Sequence, residues 1–159
     1  MDVFADFTTG THLPIGTIGM RLLVAALLGA VIGIDREWRS RPAGLRTHML
    51  TALAAALFTV LTSEIVNSEM LGQENARADP IRVIEAVTAG VAFLAAGTII
   101  RGERGVRGLT TGAGMWLAGS LGVAAGLGHF AIGALAAVFG ALVITMLGWA
   151  ERAVESARR

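Results

Sequence analysis

Five long apolar segments constrain this chain of 159 residues more than any other feature of its sequence. Each has about the 20 residues that an α-helix needs to cross the hydrocarbon core of a bilayer. The connections and tails between them are too short to build a second hydrophobic core. We therefore predict an all-α integral membrane protein, a single transmembrane domain over 1–159 with about five transmembrane helices. The segments are 15–34, 47–66, 81–100, 109–128 and 129–149.

The composition excludes several classes of function. Charged residues make up 16% of the chain, against about 25% in soluble domains. Cysteine is absent, which excludes disulfides, thiolate metal sites and cysteine nucleophiles. His12, His48 and His129 lack the spacing of a zinc site, and no nucleophile or phosphate-binding motif is present. We predict a protein that is not an enzyme, holds no resident cofactor and binds no nucleic acid.

The basic residues, all of them arginines, are distributed unevenly around the apolar segments. The second connection has only Arg77, and the N-terminal segment has no arginine but contains Asp2 and Asp6, unlike a signal peptide. The positive-inside rule places the N-terminus outside and the C-terminus in the cytoplasm. The first connection, the third connection and the C-terminal tail hold the ten others outside the segments: Arg36, Arg39, Arg41, Arg46, Arg101, Arg104, Arg107, Arg152, Arg158 and Arg159.

Glycines recur at small-residue spacing in several segments. In lipid, such residues let helix backbones approach closely, so we predict that they pack helices together within one bundle or between copies. Five short helices leave little room to bury every glycine face in one copy. We therefore also predict a homo-oligomer, most simply a two-fold dimer. The packing candidates are Gly29, Gly33, Gly90, Gly97, Gly122 and Gly126.

Ionisable residues within the segments or at their outer ends form a second group of candidates. A lone charge in a membrane is costly, so such residues pair, snorkel to the interface or line a polar cavity. Arg21 and Glu85 lie at similar depth, which leaves open an ion pair, snorkelling of both and, third, an ion site. Asp79 before Pro80 indicates the capped start of a helix. The group comprises Arg21, Glu64, Asp79, Arg82 and Glu85.

A charged cluster is predicted on the cytoplasmic side. Asp35 closes the first segment, Arg46 opens the second and Arg107 precedes the fourth, so short connections bring them to one level. We expect Arg46 or Arg107 to hold Asp35, leaving other arginines for an anionic partner or lipid headgroup. Ordinary capping and topology-setting arginines would explain the same residues. The cluster comprises Asp35, Arg36, Glu37, Arg46, Thr47, His48, Arg107, Thr110 and Thr111.

Two further expectations concern residues of this cluster. Thr47, and either Thr110 or Thr111, are expected to cap the second and fourth helices. Asp35 and Glu37 are weak candidates for Mg²⁺, which needs carboxylate oxygens. The neighbouring arginines would oppose a cation there.

Four motifs follow one another in an order typical of one protein family. GIDRE at 33–37 precedes AGLRTH at 43–48, and VRGLTT at 106–111 precedes Trp116. Between them lie Asp79-Pro80, Arg82, Gly90, Phe93-Leu94 and Gly97-Thr98-Ile99. Together they resemble the MgtC/SapB family of bacterial inner-membrane proteins, over its transmembrane part only and without the C-terminal cytoplasmic domain of some relatives. Glu85 stands where that family often has a small apolar residue, so the resemblance assigns it no role.

The resemblance implies a multi-pass protein of the bacterial inner membrane, linked to magnesium limitation, acid or stress survival and virulence. Relatives are often described as Mg²⁺ transporters, but better-characterised ones resemble modulators of other membrane proteins, including the ATP synthase. Few acids lie deep enough to conduct a divalent cation. We therefore predict a non-enzymatic modulator of membrane proteins in magnesium homeostasis, in contact with membrane lipids. The alternative is a small oligomeric transporter or channel for Mg²⁺ or another ion.

Overall fold

Each of the five apolar segments contains an α-helix. The structure, a computed structural model, describes residues 10–67, 79, 81–103 and 105–157. Within these residues the helices are α1 (Ile15–Trp38), α2 (Leu45–Asn67), α3 (Ile81–Gly97), α4 (Leu109–Gly126) and α5 (Phe130–Ala157). A short hairpin of β1 (Ile100–Gly102) and β2 (Gly105–Arg107) lies between α3 and α4. The mostly helical architecture is as predicted.

Proline, glycine and positive φ angles set the ends of the helices. α1 begins after Pro14, whose carbonyl oxygen accepts hydrogen bonds from the amides of Thr17 and Ile18. It ends before Ser40, which has a φ of 49°. Pro42 follows closely and cannot donate the backbone hydrogen bond that a continuing helix requires. The turn into α2 is therefore sharp.

The turn between α4 and α5 forms a tight helical hairpin. Gly128 has a φ of 83°, a left-handed conformation that favours glycine. Its amide donates to the carbonyl of Ala125 at 2.9 Å, and the amide of His129 donates to that of Ala124 at 2.8 Å. This is a Schellman motif, which satisfies the last carbonyl groups of α4.

The β-hairpin after α3 was not predicted. The sequence predicts a helix to residue 100, but α3 ends at Gly97. The hydroxyl of Thr98 donates to the carbonyl of Ala95 at 2.7 Å, which favours a turn over another helical residue. Gly108 has a φ of 89°, and a Cβ there would overlap the Thr98 carbonyl oxygen. The chain can close on itself at this point because residue 108 is glycine.

Consecutive helices run in opposite directions. Gly122 of α4 lies against Ala52 of α2, and Gly126 lies against Thr59, so α2 and α4 are parallel. Corresponding contacts make α1 antiparallel to α2 and parallel to α5. The start of α1 and the end of α5 therefore lie at opposite ends of the bundle.

The interior of the bundle is built from small residues. α1, α2 and α4 form its centre, α3 packs mainly on α4, and α5 packs on α1 and α4. Ala25, Ala56 and Ala125 form one fully buried cluster where the three central helices meet. Most large apolar side chains instead point outwards, as Phe93 does with 81% of its surface exposed, and Ile32 and Leu121 are exceptions in the interior. Small residues inside and large apolar residues outside are typical of helices packed in lipid.

The six packing glycines fall into two groups. Cβ atoms at Gly29 and Gly126 would come within 2.6 Å and 2.7 Å of α2 atoms. Gly33 is equally close to the start of α2, and a Cβ at Gly122 would overlap the Ala52 carbonyl oxygen. Gly90 and Gly97 have no neighbouring atom within 4 Å of a Cβ position. The first four therefore pack helices within one chain, whereas Gly90 and Gly97 face open space.

Two of the described helices, α1 and α2, are long and apolar enough to cross a membrane. The apolar part of α5, Phe130–Met146, is shorter. α3 and α4, with 17 and 18 residues, have lengths of about 26 and 27 Å. These lengths are close to the hydrocarbon thickness of about 30 Å.

Candidate functional site

One end of the bundle, where α1 ends and α2 and α4 begin, holds the charged residues of the GIDRE motif. Asp35 lies in the last turn of α1, and its side chain is 14% exposed. Its Oδ1 accepts a hydrogen bond from Nε of Arg39 at 2.7 Å, and its Oδ2 lies 3.7 Å from Arg36 Nη2. The carboxylate therefore joins Arg36 of its own helix and Arg39, the residue directly after that helix. We call Asp35, Arg36 and Arg39 the Asp35 ion cluster.

The partners of Asp35 differ from those predicted. We expected Arg46 or Arg107 to hold this carboxylate, but both arginines are exposed, and neither lies within ion-pair distance of it. Arg39 was not predicted as a partner. Its position four residues after Asp35 was the signal, since residues at this spacing share one face of a helix.

Arg36 is the most buried charged residue that the structure describes. Only 5% of its surface is exposed, and its Nε atom has no hydrogen-bond partner among the described residues. A buried charge is strongly destabilising unless an opposite charge compensates for it. Asp35 supplies that charge, which makes the ion cluster a unit rather than a set of surface pairs.

Glu37 joins the end of α1 to the start of α2. Its Oε2 accepts a hydrogen bond from the amide of Leu45 at 2.9 Å, satisfying one of the free amides at the start of α2. A Cβ at Gly44 would overlap the same carboxylate oxygen. The glycine of the AGLRTH motif is thus required for this approach.

The expected threonine caps are wrong. α2 begins at Leu45, so Thr47 lies inside the helix, where its carbonyl oxygen accepts from the Thr51 hydroxyl. The residue before α4 is Gly108, which has no side chain to cap with. Thr110 is exposed and Thr111 is buried, both inside α4. Glu37 accepts an amide at the start of α2 instead, whereas α4 begins at a left-handed glycine without a side-chain cap.

His48 is fully buried beside this junction. Its Nδ1 atom is 2.9 Å from the carbonyl oxygen of Gly44 and donates to it in the matching tautomer. Its Nε2 atom has no hydrogen-bond partner among the described residues and faces Gly114 of α4, where a Cβ would be only 3.0 Å away. Sequence reasoning identified His48 but not its contact with Gly114, because the two residues are 66 positions apart in the sequence.

The two carboxylates named as candidates for Mg²⁺ both have protein partners in the structure. Asp35 is bound to arginines, and Glu37 accepts a backbone amide. Among the described residues, no three histidine or acidic side chains are grouped so as to hold a metal ion. Mg²⁺ requires carboxylates facing a hydrated cation. The arrangement suits an ion-paired helix junction better than a cation centre.

At the opposite end, Arg21 binds backbone rather than an acidic side chain. Its Nη1 donates to the Gly126 carbonyl oxygen at 2.8 Å, and its guanidinium lies beside Gly128. This places a positive charge at the negative end of the α4 dipole. Glu85 is exposed and forms no pair with Arg21, so the ion-pair interpretation is wrong.

Two acidic residues at this end also bind backbone amides. Glu64 accepts from the amides of His12 and Leu13, which fixes the segment before α1 against the end of α2. Oδ1 of Asp79 accepts from the Ile81 amide at 3.0 Å, as expected for an Asp-Pro cap. Pro80 itself lies outside the described residues. Arg82 is exposed on the first turn of α3.

Most of the chain matches one known protein family. A family model described as "MgtC family" matches residues 22–153 of the chain. The chain belongs to the MgtC family. The resemblance seen in the GIDRE, AGLRTH and VRGLTT motifs is thereby confirmed. Family membership and the two long apolar helices together identify a membrane protein.

Similar proteins include MgtC of Salmonella typhimurium, which is 42% identical over 111 residues, 70% of this chain and 44% of the relative. A protein of Escherichia coli K12 named "Putative magnesium transporter YhiD" is 34% identical over 79% of this chain and 58% of the relative. An uncharacterized Synechocystis protein is 37% identical over 84% of this chain and 51% of the relative. The chain thus spans about half the length of these MgtC family relatives. No solved structure matches it.

Proposed function

We propose that this MgtC family member is a non-enzymatic protein of the bacterial inner membrane that modulates other membrane proteins in magnesium homeostasis. The Asp35 ion cluster is the observation that carries this proposal. It fixes the buried Arg36 and the half-buried Asp35 and Arg39 at one end of a closely packed bundle, while Arg46, Arg101 and Arg107 remain exposed at the same end. An ordered, cationic end without a cation site suits recognition of an anionic partner surface.

A five-span topology is the arrangement we propose for the helices in the membrane. Large apolar side chains cover the outside of α1, α2, α3 and α5, where lipid would contact them. Because consecutive helices run in opposite directions, the described connections are divided between the two ends of the bundle. The arginine-rich end would face the cytoplasm, in agreement with the positive-inside rule.

Reporter fusions test this topology. A reporter fused after Arg159 is expected to lie in the cytoplasm, and one fused at Asp2 is expected to lie outside it. The physical reason is the excess of arginines on one side of the apolar segments. Paired alkaline phosphatase and green fluorescent protein fusions measure both positions. Finding both ends on the same side would contradict five spans.

Transport by this protein alone is the second candidate, because the name of the relative YhiD refers to a magnesium transporter. A path for Mg²⁺ requires oxygen ligands along its length. Between the central helices, many of the described contacts are instead glycine against backbone or alanine against alanine, and the buried hydroxyl of Thr59 already donates to the Ala55 carbonyl oxygen. These contacts leave little space for an ion within one chain, which favours modulation.

Ion flux into proteoliposomes separates the two functions. Vesicles holding only the purified chain and a Mg²⁺-sensitive dye are expected to show the same uptake as vesicles without protein. A known Mg²⁺ channel, reconstituted into vesicles in the same way, serves as the positive control. Robust uptake through this chain alone, abolished by Asp35→Ala, would replace modulation with transport.

A homo-oligomer, most simply a dimer, remains part of the proposal. Four of the six glycines that suggested it pack inside one chain. The support for a homo-oligomer is therefore confined to the exposed apolar surface of the outer helices. The ATP synthase stays the proposed example of a partner complex.

A further inference from the structure

An apolar groove runs between α2 and α3 on the outside of the bundle. It has a volume of about 620 Å³ and exists because α3 leans on α4 rather than on α2. Along α2 it extends from Thr51 to Ile65, a length of about 21 Å at 1.5 Å per residue. Its walls include Ala54, Phe58 and Leu61 of α2 and Val83, Gly90 and Leu94 of α3.

The polar atoms beside the groove are already satisfied. The hydroxyl of Thr51 donates to the Thr47 carbonyl oxygen at 2.8 Å, and that of Thr62 donates to the Phe58 carbonyl oxygen at 2.9 Å. Apart from Arg82, a polar ligand would find no free side-chain donor among the described residues of these walls. The chemistry of the groove therefore fits a hydrocarbon chain.

Arg82 gives this groove a cationic end. It lines the groove on the first turn of α3 and is exposed. Among the residues that the structure describes, it forms no salt bridge with an acidic side chain, although Glu85 is one turn away. A guanidinium pairs well with phosphate oxygens because its planar donors match their geometry.

We propose that the groove binds a membrane phospholipid with a net negative headgroup, its phosphate on Arg82 and one acyl chain between α2 and α3. A helix from a second copy would fill the apolar walls but would leave the Arg82 charge without a described counter-ion. A phospholipid satisfies both features at once. The proposal depends on the membrane location of the chain and not on its modulatory role.

Native mass spectrometry of the purified full chain tests the site, with phosphatidylglycerol and phosphatidylethanolamine of identical acyl chains as probes. The wild-type chain is expected to retain phosphatidylglycerol about five-fold better, the effect of one arginine at a membrane surface. Arg82→Gln is expected to remove this preference. The matched control Arg101→Gln is expected to keep it, because Arg101 lies at the other end of α3.

Variants that fill the groove provide a second test of the lipid site. Gly90→Leu projects into open groove space, and Ala54→Phe fills it from the opposite wall. Both are expected to lose bound phospholipid of either kind, whereas Gly19→Leu, also at a glycine with open surroundings, is expected to retain it. Circular dichroism verifies that each variant keeps its helices.

Three results would overturn the proposal. Wild-type lipid retention in both filling variants would show that the lipid binds elsewhere. Equal loss of preference in Arg82→Gln and Arg101→Gln would show general attraction to basic charge. Conversion of a dimer to a monomer by Gly90→Leu, with lipid retention unchanged, would show that a second copy occupies the groove.

Discussion

Replacing Gly122 with leucine is expected to lower the stability of the bundle by about 3 kcal/mol, the upper part of the usual range for overpacking. A Cβ at this position would overlap the Ala52 carbonyl oxygen and lie 2.8 Å from the Ala55 Cβ. Both obstacles belong to α2, and a backbone carbonyl inside a helix cannot rotate away. The variant must therefore separate α2 from α4. Thermal unfolding in detergent is expected at about 10 °C below the wild type.

Gly19→Leu is the matched control for this change. Gly19 also lies within a helix, but no atom is within 4 Å of its Cβ position. Both substitutions remove a helical glycine and add the same side chain, so their intrinsic effects on helix formation are similar. The difference between the two melting temperatures reports the α2–α4 contact alone. Equal melting temperatures would show that this contact is absent in the membrane protein.

The helices could be predicted because long apolar helices leave an extended, local signal in the sequence. Each of the five segments contains a helix, and the starts at residues 15, 81 and 109 agree with those of α1, α3 and α4. The end of α3 could not be predicted from hydropathy. Ile99 and Ile100 are apolar, yet they enter a turn and a strand because Gly108 lets the chain close against Thr98. That approach depends on residues ten positions apart.

The packing of the glycines shows the same limit. Gly29 and Gly90 have similar surroundings in sequence, small and apolar on both sides. Gly29 meets the backbone of α2, whereas Gly90 faces the groove between α2 and α3. Spacing identifies a face that could pack. Only the helix arrangement determines which of these faces has a neighbour.

The residues of the candidate site could be predicted from the sequence, but their interaction partners could not. Asp35, Arg36, Glu37 and His48 lie at one junction, as the GIDRE and AGLRTH motifs suggest. Their partners, however, are Arg39 and the backbone at 44–45 rather than Arg46, Arg107 or a threonine. Proximity in the sequence favours partners at the neighbouring helix ends. The tight α1–α2 turn instead brings the acidic side chains to partners at the α1–α2 junction itself.

Asp35→Ala is expected to impair function strongly, with a loss of stability of about 2 kcal/mol. Removing one partner of a fully buried ion pair costs about 3–5 kcal/mol. The loss is smaller here because the Asp35 and Arg39 side chains remain 14% and 24% exposed. Arg36, with a side chain only 6% exposed, would lose its compensating charge. Complementation of growth in low Mg²⁺ and thermal unfolding in detergent measure the two effects.

Glu103→Ala is the control, since Glu103 is an exposed acid in the hairpin at the same end of the bundle. It is expected to complement like the wild type. If Asp35→Ala also supports wild-type growth, the charged end serves topology alone and the proposed functional role is wrong. Loss of growth with unchanged melting temperature would instead assign Asp35 directly to partner recognition.

A double-mutant cycle with Arg39→Ala identifies the part of the effect that belongs to the ion cluster. If the 2.7 Å contact between Arg39 Nε and Asp35 Oδ1 carries the stability, the double variant is expected to be less destabilised than the sum of the single variants. Arg36 stays buried in all three variants, so the remaining loss in the double variant measures the uncompensated Arg36 charge. Strict additivity would mean that Asp35 acts through Arg36 alone, and the functional unit would then be the buried pair at the end of α1.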